Sequence, residues 1–312
     1  MGVDSMHLRE MGPGDGSEVA ELIYASINAW YGLRGLGQPF QGSPKVTEIF
    51  HEVYSATGSS RCVVAENART GRLMGSCFYH PRKTHVGLGI MTVHPNYFGF
   101  GAGSRLLEYI CRFTDGNGYK ALRLTQSALN LDSFSLYNRY GFVPRQAYQD
   151  MILQVPESGL DHEVPGLDRV RDARLDDVPA MAALEMEVSG VSREEDYGLC
   201  IRNDLGFWSV SVYQGSGGNI EGFLASSSHP AFNMLGPGVI RTERQAAALI
   251  HTELDRHRGR TPVFLVPVDR YGLVRQMYDW GARNCELHFC QVRGRFQPYQ
   301  GINMPTFVLE TA

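Results

Sequence analysis

The apolar positions of this chain change period repeatedly, and the changes mark out its elements. His7 to Glu10 alternates like a short strand and is closed by the breaker run Gly12-Pro13-Gly14-Asp15-Gly16. Val19, Leu22, Ile23 and Ile27 then recur at helical spacing, so a helix is expected over 18–29 with Ser17 as its N-cap. A second helix is expected over 46–54. Arg61 to Glu66 and Arg72 to Tyr79 read as strands around a turn at Asn67 to Gly71, an antiparallel hairpin. Val86 to Val93 is the next strand, ended by His94-Pro95 because proline offers no ladder N–H. A helix over 104–113 puts Leu106, Leu107 and Ile110 on one face and stops at Asp115-Gly-Asn-Gly118. A buried strand over 120–126, a short helix over 133–140 that ends at Gly141, and a closing strand over 147–154 complete the series. The order β-α-α-β-β-β-α-β-α-β predicts an α/β fold, a mixed sheet with helices on both faces.

The pattern then restarts. Pro156 to Gly166 is polar and rich in breakers and is expected to be a linker. Beyond it, Arg171 and Asp177 echo Arg9 and Asp15, while Met181 and Leu184 echo Val19 and Leu22. Tyr140-Gly141-Phe142 and Trp280-Gly281-Ala282 close the two halves alike. The chain is read as a diverged duplication with a period of about 160 residues, giving domains over 1–155 and 167–312 joined by 156–166.

Composition changes this picture little. The chain has 312 residues, 43% hydrophobic and 20% charged, enough for two packed cores. A net charge of -4 gives no basic bias towards nucleic acid, and no apolar run is long enough for a membrane span. The 6 cysteines follow no regular spacing and no signal peptide is visible, so reduced thiols in a cytoplasmic protein are expected. Gly2 fails as a myristoylation site because Met6 stands where Ser or Thr is wanted.

The chemistry concentrates between Met91 and Leu107. Gly99, Gly101 and Gly103 form a turn between a strand and a helix start, so backbone N–H groups and the positive end of a helix dipole converge. Such a spot suits a phosphate. Downstream comes Asn130-Leu-Asp-Ser-Phe-Ser-Leu-Tyr137-Asn-Arg-Tyr-Gly141-Phe142. Taken together, Val93-x-Pro95, the glycine turn, Asn130, Tyr137 and Gly141-Phe142 resemble the GNAT acyl-CoA N-acyltransferase family over roughly residues 7 to 153. That family's phosphate loop reads Gln/Arg-x-x-Gly-x-Gly/Ala; Gly101 and Gly103 match, and Phe98 stands at the Gln/Arg position.

The resemblance implies the acyl-CoA N-acyltransferase fold, a mostly antiparallel twisted sheet, in two tandem copies. It further implies acetyl transfer from acetyl-CoA to a primary amine by direct attack in a ternary complex. Amides of Phe98, Gly99, Phe100, Gly101, Ala102, Gly103 and Ser104 would hold the diphosphate, with Arg105 nearby. Backbone groups of Met91 and Val93 would bind the pantetheine arm, and the Val93 N–H would face the thioester oxygen. Tyr137 stands where the family carries its general acid; a phenol of pKa ~10 can protonate a thiolate of pKa ~8.5. Asn130 would anchor pantetheine or cap the helix. Trp30, Tyr31 and Phe40, in a Gly- and aromatic-rich loop, are candidates for the acceptor wall or for the core. The general base stays unassigned among His80, His85, His94 and a water chain, since the strand before the turn has no carboxylate.

The second half is expected to lack these parts. Aligning Leu106-Leu107 with Leu249-Ile250 puts the turn at Thr242 to Ala247, which has no glycine and carries Glu243, and puts Met277 at the Tyr137 position. Cys285, His288 and Cys290 do not make a metal site, because Cys285 and His288 would face opposite sides of a strand; no metal is expected. The alternative to an enzyme is a non-catalytic CoA-binding sensor or interaction module. The acceptor, a small molecule or a peptide amine, is not readable, and a homodimer is compatible with either class.

Overall fold

The computed structural model describes residues 6–309, and the Gly2 reading lies outside them. The chain divides into two compact units, one ending at Leu122 and the other beginning at Arg123.

In the first unit, β1 (Met6–Glu10), α1 (Gly16–Gly32) and α2 (Glu48–Ala56) precede β2 (Arg61–Asn67), β3 (Leu73–Pro81), β4 (Val86–Val93) and α3 (Ala102–Gly116). The strands run antiparallel in the order β1-β2-β3-β4. Alternation along β3 sorts the helices onto two faces. Phe78 and His80 pack on Tyr54 of α2, while Tyr79 packs on Phe113 of α3 and a Cβ on Gly75 would stand 3.1 Å from Leu106. Helix α1 begins at Gly16, not after Ser17. The Asp15 carboxylate accepts the Gly12 N–H at 2.6 Å and both Arg9 Nη donors at 2.6 and 2.9 Å, so its turn starts the helix. It also runs to Gly32, because no breaker intervenes, so Trp30 and Tyr31 are helical and not in a loop.

β5 (Ala121–Ser127) leads into the second unit, which holds α4 (Leu131–Arg139), β6 (Val143–Ile152), β7 (Val170–Asp172), α5 (Val178–Ser189), α6 (Glu194–Arg202), β8 (Trp208–Gln214), β9 (Ile220–His229), β10 (Phe232–Ile240), α7 (Glu243–Asp255), β11 (Val263–Pro267), α8 (Tyr271–Asp279), β12 (Arg283–Gly294) and β13 (Ile302–Met304). From β7 to β12 the element order of the first half recurs. The sheet order here is β5-β12-β6-β11-β10-β9-β8-β7, with β13 on β10. β6, the last strand of the first repeat, therefore pairs antiparallel with β11 and β12 of the second. This exchange explains why the compact units divide at Leu122 and not in the expected linker.

Residues 156–166 are also not a free tether. Val155 and Val164 lie in the core, the Val155 N–H donates to the Arg260 carbonyl at 2.9 Å, and the Leu160 N–H donates to Asp255 Oδ1 at 2.9 Å. His162 stacks on Trp280 with centroids 5.4 Å apart. The duplication is visible in detail where each half begins. Arg171 grips Asp177 at 2.7 and 2.9 Å, and Asp177 accepts the Arg174 N–H at 2.8 Å, as Arg9, Asp15 and Gly12 do. No described helix is long and apolar enough to cross a membrane.

Candidate active site

β4 ends with its polar groups divided between two edges. His94 N–H donates to the Met74 carbonyl at 2.8 Å, and Val93 lies opposite Gly75, so this is a non-hydrogen-bonded pair. Met91, opposite Cys77, has the same phase. The backbone N–H and C=O of Met91 and Val93 therefore point away from β3, and the Val93 carbonyl accepts from Ser26 Oγ of α1 at 2.8 Å. Ser26 was not singled out by the sequence, where it reads as an ordinary polar residue on a helix.

After β4 the chain makes a short 3-10 turn, Pro95–Tyr97, in which His94 Nδ1 accepts the Asn96 N–H. Gly99 and Gly101 have φ of +80° and +82°, where a side chain is strained, and a Cβ on either would meet only open space. Gly101 is the N-cap of α3 and has no side-chain cap. The amides of Ala102 and Gly103, at the first two helical positions, have no intrahelical acceptor. The Phe98 and Phe100 amides are different: they donate to the Pro95 and Tyr97 carbonyls, both at 3.3 Å. The expected set of phosphate donors is narrowed accordingly to Gly99 and Gly101 to Ser104. Arg105 Nη1 reaches the Met6 carbonyl at 3.3 Å and is tied to β1.

Around α1, Phe40 is buried, held by two hydrogen bonds between its backbone and the Asn28 amide and packed 5.7 Å from Phe50. It is a core residue, which removes it from the acceptor wall. Trp30 is half-buried beneath the Arg34 guanidinium, 4.1 Å from its ring, and Tyr31 meets it edge-on. Two of the three candidate histidines are held by hydroxyls, His80 by Ser60 at 2.7 Å and His85 by Thr84 at 3.0 Å; His94 caps its own turn.

In the second unit, Asn130 Oδ1 accepts the Ser133 N–H at 3.1 Å, so of its two expected roles it performs the cap. Tyr137 is buried on α4, its ring 5.6 Å from Phe142. Met91, Val93 and the glycine turn thus belong to one unit, Asn130 and Tyr137 to the other.

Residues 27–142, which hold the glycine turn, Asn130 and Tyr137, match the model of the GNAT acetyltransferase family. The chain carries a GNAT acetyltransferase domain. Solved structures extend the likeness of fold to the whole chain. One assigned as an acetyltransferase from Pyrococcus horikoshii superposes with a TM-score of 0.74 at 14% identity, over 99% of this chain and 97% of the other. A GCN5-related N-acetyltransferase from Sphaerobacter thermophilus gives 0.61 at 17% identity, over 97% and 99%. A tandem GNAT protein from the clavulanic acid biosynthesis pathway gives 0.61 at 13%, over 93% and 98%. No curated protein matches the chain.

The second GNAT-like half differs where the first holds its turn. Gly222 stands to Leu249 as Gly75 does to Leu106, with a Cβ only 3.0 Å from the leucine, which fixes the correspondence. Residues 94–101 separate β4 from α3, whereas only Arg241 and Thr242 separate β10 from α7. Thr242 and Gln245 close a capping box on the α7 N-terminus, and Glu243 adds a carboxylate. β10 pairs with β11 only at Met234 and Leu235; from Gly238 to Ile240 it pairs instead with β13. Arg270, at the N-cap of α8, donates to the Gly301 carbonyl at 2.8 Å. The chain's own end fills the edge of β10 that corresponds to the Met91–Val93 edge. The corner of the second half also repeats: Phe142 N–H donates to the Tyr137 carbonyl and Ala282 N–H to that of Met277, at 3.1 and 3.0 Å.

Burial, then the neighbouring Asp150 carboxylate, push the Cys285 thiol up to about 11, and burial raises Cys290, which disfavours thiolate ligands. His288 instead lies beside Asp150 and Glu286, a group the sequence reading missed. No local signal could have found it, because β6 and β12 become neighbours only through strand exchange.

Proposed function

We propose that the protein is an N-acetyltransferase that moves an acetyl group from acetyl-CoA to a primary amine by direct attack in a ternary complex. The observation that carries this is the uncapped N-terminus of α3, reached through two glycines of positive φ. It offers convergent amides and a helix dipole to an anion, with no Cβ in the approach.

In this reading the amides of Gly99 and Gly101 to Ser104 hold the diphosphate of acetyl-CoA. The outward backbone groups of Met91 and Val93 bind its pantetheine arm as a further strand would. The Val93 N–H stabilises the oxyanion formed on attack, and Tyr137 protonates the departing thiolate. Phe98, at the Gln/Arg position, leaves diphosphate binding to the amides and weakens it without abolishing it. Trp30 and Tyr31 are the candidates for the acceptor wall. The acceptor is a small-molecule or peptide amine met in the cytoplasm, with no part for nucleic acid, a membrane or a metal, and the protein acts alone or as a homodimer.

Phe98 also motivates the second reading, a CoA-binding sensor without catalysis. Thiol release from acetyl-CoA over a panel of primary amines separates the two. The enzyme reading expects amine-dependent release that Tyr137→Phe cuts while acetyl-CoA binding persists. Tight CoA binding with no release for any amine favours the sensor, and no binding at all sinks both.

A further inference from the structure

We propose that the Phe98 and Phe100 rings form an adenine subsite beside the glycine turn, stacking on the base of acetyl-CoA while the neighbouring amides hold its diphosphate. This rests on the acyl-transfer reading above and deepens it, because that reading leaves the side chain at the Gln/Arg position without a role of its own. Both residues lie with the turn in the first compact unit.

Phe98 and Phe100 are 45% and 37% exposed, and of the 15 phenylalanines, all among the described residues, they are the two that are exposed. A lone exposed apolar residue is ordinary, but two bulky rings two residues apart on one turn gain by being covered. Their backbone is fixed in place. The Phe98 N–H donates to Pro95 and the Phe100 N–H to Tyr97, both at 3.3 Å, and Gly99 and Gly101 follow them at φ of +80° and +82°. The other two rings of the turn, His94 and Tyr97, meet each other at 5.9 Å; no ring contact joins Phe98 or Phe100 to any described residue. A ring with two side-chain torsions on a fixed backbone loses little freedom when a ligand covers it.

Charge and reach select the occupant. From His94 to Ser104 the chain carries no Lys, Arg, Asp or Glu. Amides and the helix start can take a diphosphate there, but what the side chains offer is two π-faces, and the part of acetyl-CoA that matches a π-face is its purine. A membrane surface would call for basic residues beside the rings, and the turn has none. At about 3.8 Å per residue, Phe100 stands about 4 Å and Phe98 at most about 11 Å from the Gly101 N-cap. Adenosine is joined directly to the diphosphate, so its base stays close to the same amides. A Cβ on Gly99 or Gly101 would meet nothing within 4 Å, so the turn is clear of other protein atoms beside both rings.

A phenylalanine in place of Gln or Arg thus exchanges a polar contact near the phosphates for stacking on the base. The consequence is donor specificity. The subsite favours thioesters of free CoA over acyl groups on a phosphopantetheine arm that lacks the nucleotide, and it tolerates a change of purine, because every base has a π-face.

The test is calorimetric binding of acetyl-CoA and of S-acetyl-4′-phosphopantetheine, which lacks the adenosine, to the full chain, alongside melting temperatures and sedimentation. We expect the double variant Phe98→Ala, Phe100→Ala to lower acetyl-CoA affinity about tenfold or more, the range of one stacked base, and to leave the affinity for the phosphopantetheine thioester unchanged. Phe98→Trp with Phe100→Trp keeps tight acetyl-CoA binding, whereas Phe98→Leu with Phe100→Leu, apolar but without a π-face, does not. Equal losses for the two ligands in the folded alanine variant, a loss for neither, or full recovery with leucine overturns the subsite while leaving acyl transfer standing. So does a dimer that the alanine variant dissociates with acetyl-CoA affinity unchanged, which makes the rings an interface between copies. A wild-type protein that binds neither thioester overturns both readings.

Discussion

The helices α3 and α7 start at matching places in the two repeats, each fixed by a leucine over a strand glycine, and yet the two starts are finished differently. At α3 the chain detours through residues 94–101, spends two glycines on positive φ and leaves the helix uncapped. At α7 the detour is gone, the Thr242 and Gln245 side chains accept each other's backbone N–H, and Glu243 would repel a phosphate. The second half also pairs β13 on β10 from Gly238 to Ile240. One fold can thus carry two helix starts whose backbone groups are satisfied in different ways.

The sharpest way to break this contrast is at Tyr137, the proposed acid. Tyr137→Phe should lower kcat by about 10²- to 10⁴-fold, the range of a lost general acid, with acetyl-CoA affinity unchanged. Met277 holds the matching corner in the second half and is fully buried. Met277→Leu should leave thiol release untouched. Equal losses in the two variants would mean that the corner matters for packing and not for chemistry.

Next in size is a buried ion pair of the second half. Glu185 of α5, at the place that Ile23 holds in α1, and Arg193, the N-cap of α6, form an ion pair whose side chains are 0% and 1% exposed. Arg193→Met strands a buried carboxylate and should cost about 3–5 kcal/mol by chemical denaturation. Adding Glu185→Leu should restore most of that loss, since a well-packed apolar pair is often neutral or better. If the double variant stays as unstable as the single one, the pair does more than fill space.

A smaller effect separates the two helix starts. Gly101→Ala forces a Cβ into a φ of +82°, at a strain of about 1–2 kcal/mol, and into the space left open for the diphosphate. It should weaken acetyl-CoA binding about tenfold or more. Thr242→Ala in the other half should cost about 1 kcal/mol of stability through the lost cap and leave acetyl-CoA binding unchanged.

These contrasts also show what a single sequence reveals. Local periodicity located nearly every element of the first half, and the glycine turn, the Asn130 cap and the Arg–Asp echoes were legible because each depends on neighbours close in the chain. Where the reading failed, the cause was tertiary. β6 alternates like a closing strand of its own repeat but pairs with β11 and β12, which moved the division to Leu122 and drew 156–166 into a core. Phe40 sits in a polar, glycine-rich loop, and only the Asn28 amide, a helix away, reveals that it is buried. Asp150 and His288 meet across the same exchange.

The smallest effect tests the duplication itself. Arg9–Asp15 and Arg171–Asp177 are bidentate pairs, each carboxylate also accepting a backbone N–H, and both are partly shielded, with aspartate side chains 16% and 13% exposed. In each, hydrogen bonding from the arginine outweighs burial and holds the aspartate below its ordinary value. A depressed folded-state value stabilises above the unfolded one, near pH 4, and that stability is lost as pH falls through the folded value. Asp15→Asn and Asp177→Asn should therefore each cost about 1 kcal/mol at pH 7. The gap from wild type should close as the pH is taken below about 4. Melting curves across that range should give matching losses for the two variants. A loss in one alone would mean that the two Arg–Asp pairs share a shape and not an energetic role.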